Sequence, residues 1–314
     1  MAASFACSRI LSSNPCRNHE NQQGGQRVNA QLLSSRSQKI IPTWQAIAVL
    51  VLFVIAYFPV WKSLLGTWSN SEDYSHAFLI MPISLYLVWG KKERLREIPV
   101  SVSKAGLVLL FFSLLLYLLA FFGKITTVAS FSLVVTMVAL VWSLFGLEVV
   151  KVLLFPLFFL LLMVPIPSQI YSASTIPLQL FVSKASTFIA MALDIPVFRE
   201  GNVLHLPERT LQVVEACSGL RSIISLFTLS VVFGYISLRS NVNRALLAVA
   251  ALPVAIFINI VRVLAMLIAF YCFNVDLTSG SLHTYFGLVI FIIALILLYF
   301  IAELILIIEN KILK

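Results

Sequence analysis

Ala105-Gly106-Leu107-Val108-Leu109-Leu110-Phe111-Phe112-Ser113-Leu114-Leu115-Leu116-Tyr117-Leu118-Leu119-Ala120-Phe121-Phe122 contains no charged side chain. A helix advances about 1.5 Å per residue, and a hydrocarbon core of about 30 Å needs roughly 20 residues to cross. The run is therefore a membrane span in length and composition. The same reading applies along most of the chain, with apolar segments at 44–61, 76–90, 105–122, 126–147, 149–166, 178–193, 217–238, 245–273 and 283–308. The 314 residues are 60% hydrophobic and 11% charged, whereas a soluble domain carries about 25% charged residues. That deficit means most of the surface faces lipid.

The formal charge of +9 would suggest nucleic acid in a soluble chain. Here Lys and Arg fall in short runs between apolar segments, which is a topology signal and points away from a nucleic-acid partner. Residues 1–39 carry Arg9, Arg17, Arg27, Arg36 and Lys39 against Glu20 alone, in a Ser-, Asn- and Gln-rich setting. Too few apolar residues lie there to pack, so a disordered basic cytoplasmic tail is expected ahead of a membrane domain over 40–314. The same composition suits an organellar transit peptide. The run from Lys91 to Arg96, the link with Arg239 and Arg244, and the end with Lys311 and Lys314 are basic. The loop 194–216 holds Asp194, Glu200, Glu208 and Glu215 against Arg199 and Arg209 and belongs on the opposite side. All five assignments agree if 178–193, with Gln179, Ser183, Lys184, Ser186 and Thr187, lies at the interface. The expected fold is all-α, a polytopic transmembrane helical bundle of about eight spans plus an interfacial segment.

Polar residues gather in the last third. Cys217 lies in Glu215-Ala216-Cys217-Ser218-Gly219-Leu220-Arg221, where the acidic loop meets an apolar segment. Arg262 and His283 lie in or beside the next two segments, and such side chains cost a few kcal/mol at the bilayer centre unless paired or hydrated. A cysteine nucleophile works as thiolate, and a helix N-terminus at Cys217 with Arg221 one turn on favours the anion. His283 can take the thiol proton and return it to a leaving amine. Arg262 can fix substrate or neutralise an oxyanion. Ser218 and Gly219 leave room for a substrate strand. Each residue also has a plainer reading: an inert packed thiol, which is how Cys272 is read, a structurally paired arginine, or an interfacial histidine. Glu215 and Asp276 are candidate orienting or contact acids and equally ordinary loop acids, and His205 is read as an interfacial loop residue. The cysteines Cys7, Cys16, Cys217 and Cys272 form no CxxC pair, so no metal site, cofactor or disulfide framework is indicated.

Three blocks, Val214-Glu215-Ala216-Cys217-Ser218-Gly219-Leu220-Arg221-Ser222, Asn259-Ile260-Val261-Arg262-Val263 and His283-Thr284-Tyr285-Phe286-Gly287, resemble in order and setting the signatures of the exosortase/archaeosortase family. Asp73-Tyr74-Ser75-His76 and the stretch from Phe155-Pro156-Leu157 to Val164-Pro165-Ile166-Pro167 resemble its exosortase branch, with Ala77 where the family pattern has Gly. The likeness covers about 44–305. It implies a membrane cysteine protease and transpeptidase of the bacterial inner membrane. Its active site would face outside, and it would act on membrane protein substrates with a C-terminal sorting signal. That signal combines a Pro-Glu-Pro-type motif, a membrane helix and a basic end, in systems that often accompany extracellular polysaccharide production. By that resemblance Cys217 is the nucleophile, Arg262 and His283 its catalytic partners, and Arg221, Ser218, Gly219 and Asn259 supporting residues. His76, near the outer end of its span, and its neighbour Tyr74 are candidates to line a cleft. The competing reading is a non-enzymatic transporter or polysaccharide-assembly component. That reading predicts polar positions spread through both halves, whereas the spans over 105–166 are nearly featureless. Serine and zinc proteases lack their patterns here.

Overall fold

The computed structural model describes residues 43–207, 209–213, 219–278 and 280–312. Cys217, Ser218 and Glu215, and the tail 1–39, lie outside the described residues. Helices α1 (Thr43–Ala56) and α2 (Phe58–Asn70) are bent by 61° at Tyr57. Pro59, in the first turn of α2, lacks an N–H and crowds the preceding turn, so one straight helix cannot form there. Next come a 3₁₀ turn over Glu72–Tyr74, α3 (Ala77–Trp89), α4 (Lys92–Glu97), α5 (Lys104–Phe122), α6 (Thr126–Phe145) and α7 (Leu147–Phe159), which tightens into 3₁₀ geometry over Leu160–Met163. The remaining elements are α8 (Ser168–Ala192), β1 (Phe198–Glu200), β2 (Val203–His205), β3 (Thr210–Gln212), α9 (Gly219–Ser237), α10 (Asn241–Phe273) and α11 (Gly280–Ile312).

The polytopic all-α bundle is as expected; the number of spans differs. Among the described residues, six helices (α5, α6, α8, α9, α10 and α11) are long and apolar enough to cross a membrane, or seven if the bent α1–α2 pair counts as one. Against the eight expected, α3 and α7, each 13 residues long with an internal proline, Pro82 and Pro156, fall short of a span, while α8 adds one. Lipid offers no substitute for a lost backbone bond, so protein groups must supply one. Pro156 cannot donate to the Val152 carbonyl, and Lys91 Nζ donates to that carbonyl instead, at 2.6 Å. One turn on, Ser84 on α3 donates to the Pro156 carbonyl at 3.0 Å.

Helix α8 departs most from expectation. The interfacial segment anticipated at 178–193 is part of one 25-residue helix. Its polar residues Thr175, Gln179, Ser183, Ser186 and Thr187 are buried, while Ile176, Phe181, Phe188 and Met191 are exposed. The polar stripe thus faces protein rather than headgroups. Ser183 donates to the Gly201 carbonyl at 3.0 Å and Ser186 to the Ile260 carbonyl at 3.4 Å.

The acidic loop, read from the sequence only as a loop, carries a three-stranded antiparallel sheet in the order β1-β2-β3. Gly201, at φ +63°, makes the tight turn between the first two strands, a conformation open to glycine at little cost. Leu204, Leu211 and Val213 pack with Val263, Met266 and Leu267 of α10. At 33 residues α10 is about 50 Å long, beyond what a bilayer core requires. Its end therefore projects as a post against which the sheet packs. At the opposite, basic end Glu309 of α11 accepts from the Ser240 and Arg239 amides at 2.6 and 3.3 Å, capping α10 where the Ser240 side chain does not.

Candidate active site

His283 lies in the first turn of α11, and its Nδ1 is 3.0 Å from the Leu277 carbonyl. A carbonyl only accepts, so Nδ1 carries the proton and Nε2 presents its lone pair. Arg262 Nη2 donates to that lone pair at 3.2 Å. The structure thus joins two residues expected at the site, from α10 and α11, with the imidazole as the neutral Nδ1–H tautomer. Arg262 Nε is buried and has no hydrogen-bond partner among the described residues. One helical turn before Arg262, Asn259 is buried. Asn259, Arg262, Ser222, Leu226 and Gly287 line a cavity of about 20 Å³, roughly the volume one water molecule needs.

Gly287 stands one turn after His283 on the same face. A Cβ there would lie 3.2 Å from Arg262 Nη2, so the missing side chain gives the guanidinium its place. Gly287 ends the third signature block, yet nothing in the sequence alone marks it as a packing residue.

The head of α9 is held from a different direction. Arg221 Nε donates to Asp73 Oδ1 at 3.1 Å, and Tyr171 of α8 donates to Asp73 Oδ2 at 2.8 Å. Tyr74, expected at a cleft, anchors the stretch that follows α7. Its hydroxyl accepts from the Ile166 amide at 3.1 Å and donates to the Ile166 carbonyl at 3.4 Å. Nearby, Trp68 Nε1 donates to the Met163 carbonyl at 3.2 Å. His76 precedes α3, with its ring nitrogens shielded from solvent and the Asp73 and Leu162 backbones beside it. No hydrogen bond joins Tyr74 or His76 to Arg262 or His283. Asp73 and Tyr171 were missed in the sequence. Asp73 was quoted only within its block, because its partner Arg221 lies 148 positions away.

Other polar residues take structural places. Asp276 accepts from the Thr278 amide and hydroxyl at 2.8 and 2.6 Å and pairs with Arg209 at 2.6 Å. These donors, Thr278 first, hold its carboxyl below the usual range. His205 stays on the sheet, 3.3 Å from Thr210 Oγ1 and 3.4 Å from Glu200. Cys272 is exposed at the end of α10, not packed.

The architecture and the half-buried Arg–His pair define an integral membrane helical-bundle protein with a polar site built from its last three helices. Residues 68–300 match the family model of the transmembrane exosortases, and the chain belongs to that family. No curated protein and no solved structure matches it.

Proposed function

We propose that this protein is a membrane-embedded cysteine endopeptidase and transpeptidase that cleaves C-terminal sorting signals of exported proteins at the outer face of a bacterial cytoplasmic membrane. The observation that carries the reading is the 3.2 Å contact between Arg262 Nη2 and His283 Nε2. Within the family, these are the two residues that a thiol at Cys217 requires as partners.

In this mechanism the substrate's terminal helix lies among the spans and presents its Pro-Glu-Pro-type motif above them. Arg262 swings from His283 to the scissile carbonyl, where its guanidinium donors meet the charge that develops on oxygen. His283 Nε2, released, takes the Cys217 thiol proton, and the thiolate attacks the carbonyl carbon. The tetrahedral intermediate expels the C-terminal fragment as an amine that receives the proton from His283. Water or an amine on another molecule then attacks the thioester and regenerates the thiol. Asn259 and Arg221 hold the two flanks of this set.

The test is co-expression with a secreted reporter ending in a Pro-Glu-Pro motif, an apolar helix and a basic end. Processing should be lost in Cys217→Ala, Arg262→Ala and His283→Ala. Persistence in Cys217→Ala, with the protein still in the membrane, removes the cysteine-protease reading.

A further inference from the structure

The pairing of β2 with β3 fixes where the backbone of β3 points. Val203 faces Gln212, Leu204 faces Leu211 and His205 faces Thr210. Val213 donates to the Asn202 carbonyl at 3.0 Å and Leu206 to the Arg209 carbonyl at 2.8 Å. Hydrogen-bonded pairs alternate along an antiparallel ladder. Arg209, Leu211 and Val213 therefore direct their backbone groups toward β2, and Thr210 and Gln212 direct theirs outward. β3 is the edge of the sheet. Thr210 and Gln212 are exposed, and their outward groups make no backbone bond among the described residues.

A cavity of about 180 Å³ lies beside this strand, lined by Arg209, Thr210, Leu211, Phe270, Asp276 and Leu277 among others. Leu206, Met266 and Leu267 complete an apolar part of the lining, beside the polar Arg209, Asp276 and Thr278. Leu277, in its wall, is the residue whose carbonyl holds His283. Chain continuity closes the argument, because β3 runs through Val213 into the segment that carries Cys217.

We propose that the free edge of β3 is the docking strand for an extended segment of the polypeptide substrate. The segment pairs with the outward N–H and C=O groups of Thr210 and Gln212 and seats one apolar side chain in the cavity. Main-chain bonds then provide affinity, and the cavity selects the side chain. An edge of only three residues is long enough to align a peptide and short enough to resist edge-to-edge association. The inference rests on the protease reading and specifies how its substrate is held.

Gln212→Pro tests it with the full-length protein in detergent and the reporter described above. Proline deletes the outward N–H and is tolerated at an edge position whose N–H faces solvent, whereas Gln212→Ala keeps that N–H. The proline variant should raise KM about tenfold, and the alanine variant should stay within about twofold of wild type. Synthetic reporter peptides with one N-methylated residue at a time should lose processing at every second position of the docked segment. A wild-type KM for Gln212→Pro, or a methylation profile without that alternation, overturns the docking strand while leaving the protease reading intact if Cys217→Ala is still inactive. A Gln212→Pro effect on oligomeric state with no effect on KM assigns the edge to a second copy of the chain and equally overturns the proposal. Processing by Cys217→Ala in the same assay overturns the protease reading itself.

Discussion

Asp73→Asn removes the charge from a carboxylate that ties three separate parts of the chain together. Asp73 accepts from Arg221 Nε at 3.1 Å and from the Tyr171 hydroxyl at 2.8 Å. A shielded hydrogen bond to a charged group contributes about 1.5–3 kcal/mol. The Arg221 and Asp73 side chains keep 41% and 24% exposure, so solvent weakens the pair toward the roughly 0.2–1 kcal/mol of an exposed ion pair. Asparagine retains one oxygen for one of the two donors. The expected loss is therefore about 1–2 kcal/mol, with about 1 kcal/mol for Tyr171→Phe. Both Asp73 and Arg221 take part in further interactions, which makes the first figure a floor. Because both donors share one carboxylate, Asp73→Asn with Tyr171→Phe should show a coupling of about 0.5–1 kcal/mol.

The assay is reversible unfolding in lipid–detergent bicelles, with reporter processing measured where every variant is more than about 90% folded. Processing by Asp73→Asn should fall further than its folded fraction does, because Arg221 lies in the first turn of α9, four residues beyond Cys217. Additive effects within about 0.3 kcal/mol, together with unchanged turnover, would refute the claim that the three residues act as one unit.

Three further outcomes can be checked. Gly287→Ala should lower processing about tenfold or more, because the new Cβ lies 3.2 Å from Arg262 Nη2. The same change should leave stability unchanged or raise it by up to about 1 kcal/mol through helix propensity. A fall in both would point to general misfolding. Tyr57→Phe should cost about 1–1.5 kcal/mol, since the fully buried hydroxyl bonds Thr136 at 2.7 Å and Ser132 at 3.3 Å; a loss below about 0.3 kcal/mol would show that Ser113, 3.0 Å from Thr136, suffices without it. For Asp276, a carboxyl held below its unfolded value contributes stability above that value and loses it as pH falls through the lowered folded one. Asp276→Asn should therefore destabilise by a constant amount from about pH 5 upward, and the gap should close in acid; a gap that widens on acidification contradicts the assignment.

Much of this was legible in the sequence, and the exceptions share a cause. Apolar runs announce themselves because lipid tolerates little else, and Arg262 and His283 stood out because each is costly in such a run. The sheet was hidden because its strands have three residues each, too short for alternation to register. Helix α8 was misread because serine and threonine at a helical spacing indicate a polar stripe without saying whether it faces headgroups or neighbouring helices. Lys91 was read only as a topology marker. Its hydrogen bond to Val152 became intelligible once Pro156 was seen to leave that carbonyl without its helical donor. The break at Tyr57 was recoverable from Pro59. In contrast, the Asp73–Arg221 link spans 148 positions, and no local pattern could have paired them.

The position of one proton organises the proposed chemistry. Leu277 fixes the ring proton of His283 at Nδ1, so the only nitrogen able to accept is the one Arg262 occupies. Were the ring to gain a proton with the guanidinium still in place, two cations would stand about 3.2 Å apart and repel one another. Proton transfer from Cys217 therefore has to accompany departure of the guanidinium. Gly287 leaves Nη2 uncrowded, where a Cβ would lie 3.2 Å away, and the substrate oxyanion is a new negative charge toward which the guanidinium can turn. A substrate carbonyl that draws Arg262 away would free the base at the moment the nucleophile needs it. On this argument a resting enzyme without substrate holds its thiol protonated, and alkylation of Cys217 by iodoacetamide should accelerate when Arg262 is replaced by Gln, which bears no charge to oppose the imidazolium. Slower alkylation in that variant would mean that the guanidinium serves to stabilise the thiolate rather than to gate the base.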